Sequence, residues 1–438
     1  WSKRRMITSA GDTAGDAGHA CAPVIAPTRR PPRVAGTSAN GESSAQASSY
    51  LHHTYTMRTQ SLRLLSTLAL SALTLLQACG GDDATFNTLN GEAPLVVGHR
   101  GASGERPEHT LAAYQLAIEQ GANYIEPDLV LTQDGVMVAR HEPMLDDTTD
   151  VAVKFPATRK TTRPVDGVPT TAYFASDFTL AELKTLRAKQ SRAGRSTAYD
   201  GQFAIPTLDE VIALAKDQSA KTGRTIGIYP EVKHSTYHAG LFGAYVFEDK
   251  LVTALHGAYG NSTKAPVFIQ SFEVANLQYL NKKTDIRLVQ LIDADDVKDD
   301  GSMSLVAPYR QPYDFVQSGD PRLFSDLLTP SGLDFVKTYA DAIGPWKPYL
   351  VKTVNDGVER TGDGTLTIND RRVDGSTGVI EMAHRKGLLV HTWTFRDDAS
   401  GYGFKDPQAE MQYYMRLGID GVFTDFTATG VAARDGLR

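Results

Sequence analysis

The chain has 438 residues, 41% of them hydrophobic and 22% charged, with a net charge of −6. That profile suits an ordinary globular enzyme or binding protein and gives no electrostatic reason to propose nucleic acid as a partner. Only two cysteines occur, Cys21 and Cys79.

Residues 1–56 are dominated by Ala, Gly, Ser, Thr and Pro without apolar periodicity and read as a disordered or non-native leader. From Met57 the pattern changes: Arg58 and Arg63 precede the apolar run Leu64–Leu76. Its length suits the core of a signal peptide and is too short to span a membrane, so residues 57–78 are expected to be removed on export. The run ends Leu76-Gln77-Ala78-Cys79, which resembles the lipobox of bacterial lipoproteins. That resemblance implies cleavage before Cys79 and lipid attachment to its sulfur; the alternative is a small-residue cleavage site beside an incidental cysteine. With Cys79 acylated, the mature chain has no thiol for disulfides, catalysis or metal binding. Residues 79–93 would be a polar tether, and a periplasm-facing membrane lipoprotein would touch the membrane only through that anchor.

The barrel-like part, 94–438, begins with Val96–Arg100, a buried strand ending in the polar pair His99-Arg100. Gly101 and Gly104 mark a loop, and Thr110 can cap a helix with Leu111, Tyr114 and Ile118 on one face, stopped by Gly121. The next strand, Tyr124–Asp128 and onward to Leu131, projects Glu126 and Asp128 from the same face because strand side chains alternate. Thr132-Gln133-Asp134-Gly135 then signals a two-residue hairpin. Taking Asp134-Gly135 as the loop residues, Gln133 faces Val136 and Asp128 faces His141, about 4.5–5.5 Å apart at their β-carbons.

Six further strands follow: Thr225–Lys233, Val267–Phe272, Arg287–Ile292, Ala340–Gly344, Leu388–Phe395 and Gly421–Asp425. Helix-like runs lie between most of them, at Leu208–Ala215, Phe242–Leu255, Glu273–Leu280, Gly378–Lys386 and Ala409–Leu417. This alternation predicts a parallel α/β protein, and eight strands predict a closed (β/α)8 TIM barrel with a small hairpin after its second strand. Residues 146–202 and 293–331 break the alternation and read as insertions, candidates for a lid or substrate wall. Within Thr225–Lys233, Glu231 and Lys233 also alternate and can point into the barrel mouth. Three carboxylates there would suit one hard divalent cation, Ca²⁺ or Mg²⁺, although a metal-free network with Arg100 and Lys233 would nearly balance the same charges. Gln270 and Trp393 are candidates for substrate contact, Trp393 equally for a core aromatic. His109 reads as a structural residue or helix partner, and His234, His391 and Asp425 have no assigned role.

Seven features in order, His99-Arg100-Gly101, Pro107–Thr110, Glu126/Asp128, the Thr132–Gly135 turn, His141, Glu231/Lys233 and Trp393-Thr394, together resemble the glycerophosphodiester phosphodiesterases. Pro107–Thr110, Asp146–Val151 and the long insertions bring the chain nearest to the exported bacterial branch. The resemblance implies a phosphatidylinositol-phosphodiesterase-like barrel that hydrolyses deacylated phospholipids, such as glycerophosphocholine and glycerophosphoethanolamine, to sn-glycerol 3-phosphate and an alcohol. It further implies Glu126, Asp128 and Glu231 as cation ligands, His99 and His141 as general base and acid in unassigned order, and Arg100 and Lys233 as neutralisers of the phosphodiester charge. The attacking group would be a substrate glycerol hydroxyl, giving a cyclic phosphate that water opens. Two other classes fit the same residues less closely. A lysophospholipid or sphingolipid phospholipase D would need an apolar groove, and a non-catalytic glycerophosphoryl-binding envelope protein would be expected to lose a histidine or a metal carboxylate. Oligomeric state has no sequence signal here.

Overall fold

The computed structural model describes residues 86–437; the leader, the export signal, Cys79 and most of the tether lie outside the described residues. Strand β1 (Leu95–Gly98) is followed by β2 (Tyr124–Ile125), β3 (Asp128–Leu131) and β4 (Met137–Ala139), and then by a separate hairpin of β5 (Thr161–Val165) and β6 (Val168–Ala172). Next come β7 (Gly227–Ile228), β8 (Glu231–Val232), β9 (Phe268–Ser271) and β10 (Arg287–Ile292). The last third holds β11 (Asp296–Val297), β12 (Met303–Ser304), β13 (Ala342–Pro345), β14 (Val351–Val354), β15 (Arg372–Ser376), β16 (Leu389–Phe395) and β17 (Gly421–Thr424).

Proline explains why two staves carry two labels each. Pro127 and Pro230 have no N–H to give the ladder, so β2/β3 and β7/β8 are single strand lines, broken beside Glu126 and Glu231. Their carbonyls still accept, from Glu231 N at 3.1 Å and Gln270 N at 3.0 Å, which keeps the sheet continuous. Parallel pairing runs from β1 through β2/β3, β7/β8, β9, β10, β13, β16 and β17, and β17 pairs back to β1 from Leu95↔Gly421 to Gly98↔Thr424. The described residues thus form the eight-stranded TIM barrel that the eight predicted runs imply.

The barrel interior is filled, not open. Tyr229 stacks on Phe268 with ring centroids 5.0 Å apart and meets Phe423 edge-on at 4.9 Å. Val97, Tyr124, Val289 and Ala342 complete this inner cluster, as barrel interiors require. Tyr124 reaches over Gly227 so closely that a β-carbon there would lie 2.1 Å from its ring. The larger core lies between the sheet and the outer helices.

Several sequence expectations need correction. The hairpin register is Leu129↔Ala139, Val130↔Val138, Leu131↔Met137, so Asp128 faces Arg140 and not His141. The loop has three residues, Gln133 to Gly135, because Gly135 adopts φ +73° and Thr132 N bonds Val136 O at 3.0 Å. The expected helix Phe242–Leu255 is two helices, Ser235–Phe242 and Val246–Tyr259, separated where Gly243 and Tyr245 take positive φ. Helix Leu208–Thr222 outruns its predicted end and stops at left-handed Gly223. Thr110 does cap the helix Leu111–Glu119, accepting from Ala113 N at 3.1 Å, but Leu111 is exposed, and Tyr114 and Ile118 pack inward with Ala113 and Ala117.

The 146–202 segment has its own packed cluster: Leu145, Val151, Tyr173, Phe178, Leu183 and Leu186 sit against Val130 and Val138 of the β3–β4 hairpin. The 293–331 segment carries the β11–β12 hairpin and the helix Tyr313–Ser318, and the barrel helix Pro330–Lys337 starts just inside its expected limit, capped by Thr329. A third excursion, the β14–β15 hairpin, has no counterpart in the sequence reading. Among the described residues no helix is long and apolar enough to cross a membrane.

Candidate active site

The parallel staves all deliver their carboxyl ends to one mouth, and the chemistry-bearing residues gather there. Glu126, Asp128 and Glu231 are buried and offer carboxylate oxygens that all lie within 4.8 Å of one another. Neighbours orient them: Gln270 Nε2 donates to Glu126 Oε1 at 2.7 Å, Arg100 N to Glu126 Oε2 at 3.1 Å, and Lys233 Nζ lies 3.0 Å from Glu231 Oε1. His109 holds Asp128 Oδ2 at 3.0 Å and turns its other nitrogen to the Tyr114 hydroxyl at 2.8 Å. Asp128 Oδ1 and Gln270 Oε1 are buried without a hydrogen-bond partner, a costly state unless something else satisfies them.

Burial and the charges of Asp128 and Glu231 push the Glu126 carboxyl well above the usual range. Burial likewise lifts Glu231 to about 7, against the pull of Lys233. Asp128 stays well below the ordinary value despite its burial, because His109 and Arg100 face it. Three carboxylates that repel one another around orphaned oxygen atoms, with no sulfur or free imidazole among them, fit a hard divalent cation.

Both mouth histidines carry a carboxylate on Nδ1. His99, following β1, sits 2.5 Å from Asp425 Oδ1, and its Nε2 points toward Glu126 Oε2 at 3.8 Å. Asp425 Oδ2 is shared by Arg195 at 2.6 Å and Arg396 at 2.8 Å. His141 lies one residue past the hairpin pairing, with Nδ1 2.8 Å from Glu142 Oε1 and Nε2 3.3 Å from Lys233 Nζ. Burial and Arg100 hold His99 down at about 3, and burial, Arg100 and Lys233 hold His141 at about 4. Both imidazoles are therefore held toward the neutral form near pH 7.

Arg100 takes a left-handed φ of +62° and turns its guanidinium to Glu108 at 3.2 Å and Asp128 at 3.5 Å. Trp393 is half-buried, donates Nε1–H to Gly344 O at 2.8 Å and meets Phe272 edge-on at 5.7 Å; Lys233 Nζ lies over the same Phe272 ring. The structure thus brings His99, Arg100, Glu126, Asp128, His141, Glu231, Lys233 and Gln270 to one mouth, with Trp393 on the Phe272 side of Lys233.

Asp425, Glu142, Arg195 and Arg396 belong to the same constellation but had no assigned role from sequence. Asp425 closes the last barrel strand, a position that itself points to the catalytic end; the other three are placed by loops whose paths a sequence does not reveal. His234 bridges Glu142 at 3.2 Å and Asp166 of the β5–β6 turn at 3.0 Å. His391 is a core residue, with Nδ1 2.7 Å from the Tyr229 hydroxyl inside the barrel.

Residues 99–429 match the model of the Glycerophosphoryl diester phosphodiesterase family. A glycerophosphodiester phosphodiesterase from Arabidopsis thaliana is 36% identical over 361 residues, covering 79% of this chain and 87% of that protein. One from Haemophilus influenzae is 29% identical over 401 residues, covering 85% of this chain and 100% of the relative. A crystal structure of a glycerophosphoryl diester phosphodiesterase-like protein from Silicibacter pomeroyi superposes with a TM-score of 0.51 at 18% identity, covering 80% of this chain and 98% of that one; it shows the fold.

Proposed function

Because this chain belongs to the glycerophosphoryl diester phosphodiesterase family, we propose that its barrel mouth hydrolyses glycerophosphodiesters to sn-glycerol 3-phosphate and an alcohol. The observation that carries the reading is the buried Glu126/Asp128/Glu231 cluster flanked by two imidazoles, each with a carboxylate on Nδ1.

Glu126, Asp128 and Glu231 would hold a divalent cation, Ca²⁺ or Mg²⁺, which when bound supplies positive charge to a phosphoryl oxygen and lowers the pKa of a coordinated hydroxyl. His99 is the better placed base. Its Nδ1–H is committed to Asp425, and its free Nε2 faces the carboxylate cluster, where the glycerol hydroxyl would lie. The proton leaves the hydroxyl for His99 Nε2 as the oxygen attacks phosphorus. The P–O bond to the departing alcohol breaks, and that oxygen takes a proton from His141, whose imidazolium is stabilised by Glu142 and by the phosphodiester anion itself. Water then opens the cyclic phosphate with the two histidines in exchanged roles. Arg100 and Lys233 meet the charge that grows on phosphorus; Lys233 is well placed, between Glu231 and His141. Gln270 fixes Glu126, and Phe272 with Trp393 gives one wall a non-polar face.

The test is release of sn-glycerol 3-phosphate from glycerophosphocholine and glycerophosphoethanolamine, with EDTA, Ca²⁺ or Mg²⁺, beside His141→Ala. Metal-restored release that the variant lacks supports the reading. A folded, metal-loaded protein that releases nothing rejects it in favour of lysophospholipid substrates or simple binding. We also infer that residues 57–78 direct export and that Cys79 carries lipid, supported by the Leu76–Cys79 motif. Lipid labelling in a bacterial host should be lost in Cys79→Ala, and a label that persists refutes the anchor.

A further inference from the structure

The 146–202 insertion reaches the active-site mouth through a short strap. Gln190 Nε2 and Arg195 Nη1 both donate to Ser103 O, at 3.2 and 3.1 Å, and Ser103 Oγ in turn donates to His99 O at 2.8 Å. Ser191 Oγ donates to Glu108 Oε2 at 3.2 Å, the carboxylate that also holds Arg100. Arg195 is buried and pairs with Asp425 and Asp398, each at 2.6 Å. Residues 190 to 195 are therefore fixed against the His99 side of the mouth.

Arg192 sits in the middle of this strap. Its backbone N–H donates to Gln190 Oε1 at 3.2 Å, but its guanidinium, half-buried, makes no ion pair or hydrogen bond with the described residues. Around it Arg396, Arg195 and Arg100 repel it, while Asp425 and Asp398 attract it, and Asp398 is already paired with Arg195 at 2.6 Å. Asp425 is already taken, by His99 on one oxygen and by Arg195 and Arg396 on the other. A partly desolvated cation among cations is costly, and burial and those arginines lower its pKa to about 10. An anion entering the mouth would relieve that cost, and a planar guanidinium matches phosphate oxygens in pairs.

We propose that Arg192, supplied by the insertion and not by the barrel, is a substrate-binding residue that engages an anionic oxygen of the phosphodiester and of the phosphomonoester product. The inference rests on the glycerophosphodiesterase reading for the identity of that anion. It gives the insertion a role in recognition: the strap, anchored beside His99 through Gln190, Ser191 and Arg195, adds a third cation to Arg100 and Lys233 of the barrel.

The test titrates the full chain, loaded with Ca²⁺ or Mg²⁺, with sn-glycerol 3-phosphate and with uncharged glycerol, in wild type, Arg192→Gln and Arg192→Lys, alongside turnover of glycerophosphocholine. Loss of one charge-assisted contact should weaken glycerol 3-phosphate binding and raise KM by about 10- to 100-fold in Arg192→Gln. Arg192→Lys should fall between, kcat should change less than KM, and glycerol binding should not move. Affinity for glycerol 3-phosphate within twofold of wild type in both variants overturns the inference, and active wild type then leaves the functional reading standing. Arg192-dependent anion binding by a protein that turns nothing over keeps the inference and sinks the functional reading. Wild type that binds no glycerol 3-phosphate refutes both.

Discussion

Replacing Asp425 by Asn keeps the size of the side chain and inverts what it asks of His99. The carboxylate now accepts from His99 Nδ1 at 2.5 Å and, on its other oxygen, from Arg195 at 2.6 Å and Arg396 at 2.8 Å. An amide has one acceptor oxygen, and two guanidinium groups compete for it. The amide NH₂ must then face His99, where it donates to Nδ1 and moves the imidazole proton to Nε2. That nitrogen can no longer take a proton from the nucleophile. Where an orienting carboxylate is changed to an amide behind a catalytic histidine, the loss is about 10⁴ in kcat; with Arg195 still anchored on Asp398, the expected loss here is about 10³–10⁴, or about 4–5.5 kcal/mol of barrel-mouth catalysis. Asp425→Ala imposes no wrong tautomer and should retain more activity than Asp425→Asn, although it leaves both arginines without that partner. The assay is kcat for glycerophosphocholine in both variants, with cation affinity and far-ultraviolet circular dichroism as controls for an intact site and fold. An Asn variant within tenfold of wild type, or one more active than the Ala variant, would refute the assignment of His99 as the base held by Asp425.

Cation affinity should rise as pH increases from 6 to 8, because burial and neighbouring carboxylates lift Glu126 well above the usual range and Glu231 to about 7, and the protons held there must leave before the cation binds. Calorimetric affinities that are flat over this range would contradict it, and Glu231→Gln should abolish the metal-induced rise in Tm. His234 is a pH-dependent tie between barrel and insertion: burial disfavours its cation, but Asp166 and Glu142 outweigh burial and raise the pKa to about 10. A raised folded-state pKa stabilises fully below about pH 6.5 and is lost as pH climbs to about 10. The difference in Tm between wild type and His234→Gln should therefore shrink across that interval; a constant gap would count against the tie. Gly227→Ala places a β-carbon 2.1 Å from the Tyr124 ring in the filled interior, so overpacking should cost about 1–3 kcal/mol in denaturant unfolding, and a neutral substitution would show that Tyr124 can move aside.

The staves were legible because their signals are local. Val96–Arg100, Arg287–Ile292 and Leu388–Phe395 are compact apolar runs between turn residues, and the alternation of strand side chains was enough to pair Glu126 with Asp128 and Glu231 with Lys233. The hairpin register was not legible, since Thr132–Gly135 fits a two-residue or a three-residue loop equally well, and the left-handed Gly135 chose between them. The split at Gly243 was hidden for the same reason: an apolar run does not reveal where a glycine reverses the backbone.

Sequence by itself determined the barrel and the types of residue at its catalytic end, because periodicity and strand-end position are properties of neighbouring residues. Only the tertiary structure decided which groups meet across the mouth. Asp425 reaches His99 from 326 positions away, Arg195 reaches Asp425 from 230, and His234 ties Glu142 to the turn at Asp166. Those contacts depend on barrel closure and on the paths of long loops, and the free energy that selects such a path comes from packing and charge across the whole fold, which no local stretch of residues contains.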